Sequence, residues 1–131
     1  MTHNQSEGDG GARAFAIEAA QLIRDRHCED VRLLDVQGLS QVTDYMLIGS
    51  GTSDRQMKSI ADELKGLGKQ GGMPVYRIDS DNNLTWIVVD FIDLVVHLFA
   101  PPVRAYYDLE ELWSGASIVL WERPDASGSH E

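Results

Sequence analysis

The chain has 131 residues, 43% of them hydrophobic, which suffices for one core and leaves little room for a second domain. Its formal net charge of −10 excludes a nucleic-acid binder that works by neutralising phosphates, and suits a basic protein partner. A single cysteine, Cys28, rules out an internal disulfide, and no stretch reaches the roughly 20 apolar residues that span a bilayer, so the sequence reads as cytoplasmic.

Residues 1–11 are polar and glycine-rich, without the apolar centre of a signal peptide, and read as a flexible tail. Residues 123–131 read the same way, which leaves one domain over 12–122. Phe15, Ala19, Leu22 and Ile23 fall on one face of a helix. Val31–Val36 is a β-branched run, apolar on both faces near its middle. Tyr45–Ile48 is continuously apolar and reads as a central strand.

Gly49-Ser50-Gly51-Thr52 breaks that strand. Ser53 and Gln56 then form a capping-box pattern, ahead of a helical stripe of Met57, Ile60, Ala61, Leu64 and Leu67. Gly71-Gly72 and Pro74 stop the helix. Val75–Ile78 is a further strand, and Asp79–Asn83 a turn cluster. Trp86–Val89 and Leu94–Phe99 pair as a hairpin around Asp90-Phe91-Ile92-Asp93. Pro101-Pro102 opens a helical turn. Asp108 and Glu111 mark the start of a short helix ending near Ser114-Gly115, and Ile118–Trp121 reads as a last edge strand.

The helical crossover from Tyr45–Ile48 to Val75–Ile78 predicts that these two strands run parallel. The expected fold is a single α/β or α+β domain: a mixed sheet of about five strands with helices packed on it.

Little in this order points to catalysis. The Gly49–Asp54 loop offers backbone N–H groups to a phosphate. It lacks the Gly-Lys-Ser/Thr end of a P-loop and the third glycine of a dinucleotide fingerprint, and Asp54 would repel an anion. Two-metal chemistry needs carboxylates converging on ions roughly 3.5–4 Å apart. Asp79/Asp81 and Asp90/Asp93 both lie in or beside turns, where acids are ordinary. His97 is alone in an apolar strand, Cys28 follows His27 too closely to chelate in the usual way, and no Gly-x-Ser-x-Gly elbow exists. No cofactor and no metal are therefore expected. A nucleotide-binding or nucleotidyl-transfer enzyme using the Gly49–Asp54 loop and an acid pair is the alternative.

What stands out is an aromatic and charged constellation: Trp86, Tyr106, Tyr107 and Trp113 in or beside the segment that carries Asp90, Asp93, His97 and Arg104. Protein interfaces use such anchors. The sequence leaves Trp86 and Trp113 open between core and interface. Tyr106 and Tyr107 are adjacent, so a helix does not bury both.

These segments resemble the ribosomal silencing factor (Iojap) family. The likeness runs through Leu34-Asp35-Val36, Thr43-Asp44-Tyr45 and Gly49–Gln56. It continues through Trp86–Asp90 and Asp93–Phe99 to Arg104–Trp113, and covers roughly residues 14–114. Three places depart from the family's pattern: the turn Asp81–Thr85, Pro101-Pro102, and Ile92, which stands where the family has glycine. An isoleucine resists positive φ, so a changed turn is expected there.

The resemblance implies a fold related to the nucleotidyltransferases without their catalytic acids, and no enzymatic activity. It implies docking on the large ribosomal subunit, through the ribosomal protein at the subunit interface that standard naming counts as the fourteenth. The bound factor would block subunit joining sterically and repress translation, with little nucleic-acid contact and no membrane. A homodimer is implied for the free state. The contacts expected on this basis are Trp86, Asp90, Asp93, His97, Arg104 and Tyr107.

Overall fold

The run Tyr45–Ser50 is buried along its whole length, as a strand covered on both faces must be. The computed structural model describes the backbone of residues 2–123 and side chains from residue 11 onward. In chain order its elements are α1 (Thr2–Asp25), β1 (Glu29–Asp35), β2 (Tyr45–Ser50), α2 (Asp54–Gln70) and β3 (Arg77–Ser80). There follow β4 (Trp86–Asp90), β5 (Leu94–Phe99), α3 (Pro101–Tyr107), α4 (Leu109–Leu112) and β6 (Ser117–Ile118). The fold is α+β, with one mixed six-stranded sheet in the order β3-β4-β5-β2-β1-β6.

The alternation of side chains sorts the core into two. On one face Leu33, Tyr45, Leu47, Ile87, Val89, Leu94, Val96 and Leu98 meet the apolar stripes of α1 (Phe15, Ala19, Ile23) and α2 (Met57, Ile60, Leu64). On the other, Leu34, Val36, Met46, Ile48 and Phe99 are covered by Val103, Leu109 and Trp113 from the short helices.

Several expectations are corrected. A sixth strand, β6, pairs antiparallel with β1 and lies slightly earlier than expected. Strands β2 and β3 do point the same way, but they are not neighbours: β2 pairs in parallel with β5, and the β4–β5 hairpin lies between them. Strand β3 begins two residues later than expected, because Asp81 rather than Asp79 closes the turn. The Asp81 carboxylate accepts the N–H groups of Thr85 and Trp86 at 2.7 and 3.1 Å, and the Thr85 hydroxyl also donates to it.

Helix α1 takes in residues 2–11, which the sequence reading assigns to a tail. Once a packed turn exists, each further residue adds a hydrogen bond, so a helix can outrun its apolar stripe. Of residues 123–131 only Arg123 is described; it ion-pairs with Asp25 at 3.0 Å. The remainder of that tail, 124–131, lies outside the described residues.

The turn between β4 and β5 holds its isoleucine at positive φ. The Asp93 N–H donates to the Phe91 carbonyl at 2.9 Å, a γ-turn, and Ile92 at its centre adopts φ 77°. Phe91 is buried edge-on against Phe15, ring centroids 5.0 Å apart, which fixes the turn from below.

Helix α2 passes close to this turn. A Cβ on Gly68 would lie 2.3 Å from the Met73 carbonyl oxygen and 2.7 Å from the Phe91 ring, whereas one on Gly66 would meet nothing within 4 Å. The same substitution therefore has opposite signs on one helix. Gly68→Ala is expected to lose about 2 kcal/mol through overpacking, and Gly66→Ala to gain about 0.5–1 kcal/mol through helix propensity. Urea midpoints of the two variants check this.

Candidate interaction surface

Strand alternation divides the β4–β5 hairpin into two faces. Ile87, Val89, Leu94, Val96 and Leu98 turn into the helix-side core. Trp86, Val88 and Asp90 turn the other way, each half-buried, and stand opposite Phe99, His97 and Val95 of β5. The cover supplied by α3 and α4 reaches Phe99 and the edge of Trp86. Val88, Asp90 and Val95 fall outside it and stay half-buried.

An aromatic cluster stands where the cover ends. The Trp86 ring lies 4.9 Å from Phe99, 4.8 Å from Tyr107 and 6.0 Å from His97 between centroids. Tyr106 meets Tyr107 edge-on at 5.0 Å. Both tyrosines are exposed, Tyr106 by 79% and Tyr107 by 49%, so the outer layer of the cluster is presented to solvent.

The inner layer is fixed by one hydrogen bond. Trp86 Nε1–H donates to His97 Nδ1 at 3.1 Å. Nδ1 is thus the acceptor and the imidazole proton sits on Nε2. Burial pushes His97 down to about 4, so the ring is neutral at neutral pH and the bond is intact.

Arg104 occupies α3 three residues before Tyr107, yet it is only 7% exposed. Its Nη1 donates to Ser50 Oγ at 2.8 Å. Its Nε and Nη2 donate to the two oxygens of Glu110 at 3.3 and 2.6 Å. Asp30, at the bulge of β1, stands 3.6 Å from Nη2. These donors are spent inside the chain, so Arg104 struts the end of β2 against α4.

Of the six residues singled out in sequence, the structure brings Trp86, His97 and Tyr107 into one cluster and puts Asp90 on the same sheet face. Asp93 sits beyond the strand, on the turn, where its carbonyl accepts the Tyr45 N–H at 3.0 Å. Sequence reasoning missed Phe99, which stands directly opposite Trp86; the hairpin register would have found it. It also missed Glu110 and Ser50 as the partners of Arg104. Nothing in the spacing marks either residue as its partner.

The features that suggested an enzyme are absorbed by the fold. Ser53 Oγ accepts the Gln56 N–H at 3.0 Å, and Gln56 Oε1 accepts the Thr52 N–H at 2.7 Å, a capping arrangement closing over the loop. The Gly51 N–H donates to the Phe99 carbonyl at 2.8 Å. Asp79 pairs with Arg77 at 3.1 Å and Asp81 closes its turn. Among the described residues no group of three or more His, Cys, Asp or Glu is arranged to hold a metal ion. Cys28 is buried, and desolvation pushes its thiol up to about 12. No helix among the described residues is long and apolar enough to cross a membrane.

Fold and surface together define a small α+β domain that presents a half-covered, aromatic-edged sheet face. The chain belongs to the ribosomal silencing factor family: the family profile "Ribosomal silencing factor during starvation" matches residues 10–130. It is 40% identical over 101 residues to the ribosomal silencing factor of Bacillus subtilis, covering 77% of this chain and 86% of that one. It is 33% identical over 107 residues to the mouse mitochondrial assembly of ribosomal large subunit protein 1, covering 79% of this chain and 47% of that one. A solved structure from Chromobacterium violaceum superposes with a TM-score of 0.69 at 31% identity, over 86% of this chain and 90% of that one. The family is defined by a regulatory activity, the silencing of ribosomes, rather than by a catalysed reaction.

The buried histidine makes the surface acid-sensitive. In the unfolded chain His97 titrates near 6.5, and in the folded chain only near 4. The unfolded state therefore takes up the proton first as pH falls. The contribution is fully present above pH 6.5 and is lost between 6.5 and about 4, on the order of 3 kcal/mol in all. His97→Asn keeps an acceptor for Trp86 and removes the titration. Urea unfolding at pH 7 and pH 4.5 is expected to show a smaller acid loss in the variant than in the parent.

Proposed function

We propose that this protein silences ribosomes by docking its β4–β5 face on the large subunit. The partner is a basic ribosomal protein at the subunit interface, and the bound domain excludes the small subunit sterically. The observation that carries the reading is the exposed Tyr107, its ring tilted against Trp86 at 4.8 Å, beside a sheet face that no helix among the described residues covers over Val88, Asp90 and Val95. Large aromatic side chains held rigidly at a half-dry surface are what binding hot spots are made of.

Charge supports a protein rather than an RNA as the surface met. A chain of net charge −10 is repelled by phosphates and steered toward Lys and Arg. Family membership and the large-subunit role in the name of the mouse relative support the choice of subunit. In this reading Tyr107 and Trp86 are the anchors, Asp90 and Asp93 meet basic groups, His97 holds Trp86, and Arg104 holds α3 in place.

Tyr107 is half-exposed and lies at a helix end, so Tyr107→Ala leaves the fold intact. Its retention on purified large subunits at modest ionic strength is expected to fall about 30-fold, the equivalent of about 2 kcal/mol for a central anchor. Unchanged retention would sink the assignment of this face. The enzyme reading has its own discriminator. Thermal unfolding with Mg²⁺ and each nucleoside triphosphate is expected to show no shift, whereas a true ligand at 100 times its Kd would stabilise by about 2.7 kcal/mol.

A further inference from the structure

Ile92 sits where neither its backbone nor its solvation favours an isoleucine. Among the described residues five other than glycine have positive φ: His27, Asp30, Leu84, Ile92 and Asp108. Ile92 alone among them is β-branched, the type least tolerant of that region. Leu84, the other apolar one, is recompensed by packing against the helix-side core. Ile92 belongs to neither apolar cluster and is 54% exposed.

The turn does not need the side chain either. It is closed by Asp93 N–H to the Phe91 carbonyl at 2.9 Å, Phe91 N–H to the Leu94 carbonyl at 2.8 Å, and Ile92 N–H to Asp90 Oδ1 at 2.8 Å. A glycine would make every one of these bonds without strain. Within the chain, the β-branched sec-butyl side chain has a cost and no visible return. Where a local rule is broken with no internal compensation, the compensation is sought outside the molecule.

We infer that Ile92 is an apolar anchor that enters a recess on the cationic ribosomal protein, with Asp90 and Asp93 meeting basic residues at the rim of that recess. The inference rests on the docking reading above and extends it. Asp90, Val88 and Trp86 occupy alternate positions of β4 on the open face. The tip of the hairpin therefore continues a strip from Tyr107 along β4, a strand length of about 14 Å at roughly 3.4 Å per residue. The strip has an aromatic anchor at one end and an aliphatic one at the other.

The test measures stability and binding on the same preparations. Ile92→Gly is expected to raise Tm by about 4 °C, and to weaken retention on purified large subunits about tenfold. Ile92→Asn, which tolerates positive φ, is expected to behave alike. Tyr107→Ala is run in parallel. If Ile92→Gly binds as the parent does while Tyr107→Ala is lost, the anchor is disproved and the docking face stands. If both bind as the parent does, the docking face itself fails and the anchor with it. A Tm that stays level or drops in Ile92→Gly shows that the side chain is already rewarded inside the chain, and also overturns the inference.

Discussion

Parallel pairing of β2 with β5, running from Tyr45 opposite Leu94 to Ser50 opposite Phe99, sets what each face of this protein can be. Parallel neighbours need a long connection. Here it is α2, β3 and the outgoing arm of the hairpin, so the hairpin is delivered to the sheet as a flap beyond β2. Strand β2 then lies inside the sheet and is buried on both sides. The chain after β5 can cover only the strands it can reach, which are β2, β1 and the far end of β5. The rest of the hairpin is left covered on one side alone. The open face follows from the strand order.

The cover that does exist is built from weak parts. α3 has seven residues and no side-chain cap at Ala100, and α4 has four residues. Helices of that length are not stable by themselves. Asp108 joins them in the left-handed region at φ 47°. Trp113 and Leu109 supply apolar contact, and the guanidinium of Arg104 ties Ser50 to Glu110 across the layer. A buried ion pair of this kind adds little net stability, because desolvation offsets most of its attraction. Breaking it from one side is costly, so it selects one position of the helices over others. Tyr107 comes three residues after Arg104 on the same helix, and that selected position is what sets it against Trp86.

Elements whose side chains repeat with a clear period were legible in the sequence. The stripe from Met57 to Leu64, the run Tyr45–Ile48 and the hairpin from Trp86 to Phe99 all form where their apolar residues place them. What the sequence concealed depends on distant partners. The neighbour of β2 is chosen by which strand the whole sheet brings beside it, and a helical crossover fixes direction without fixing adjacency. Arg104 looked like a surface charge beside aromatics, because nothing local shows that Ser50 and Glu110 take up its donors. At Ile92 the sequence shows the backbone preference of one residue, but not the buried Phe91 beneath it and the hydrogen bonds around it, which hold that residue at positive φ.

Association favours groups that are already in place, since ordering a side chain on binding costs free energy. Trp86 is held by His97 through a bond that exists only while the imidazole is neutral, and by tilted ring contacts with Phe99 and Tyr107. The open strip is thus rigid at its aromatic end and tightly turned at its aliphatic end, and neither end must be ordered by a partner. Beside Asp90 the sheet face carries Arg77 and Asp79 of β3, which pair with each other at 3.1 Å. On the proposed docking, long-range charge would govern how fast a cationic partner arrives, and the fit of pre-set apolar groups how long it stays. On that docking, a small acidic domain built this way would reach its partner by charge and discriminate by shape, and the strand order of the sheet is what leaves the face that does both uncovered.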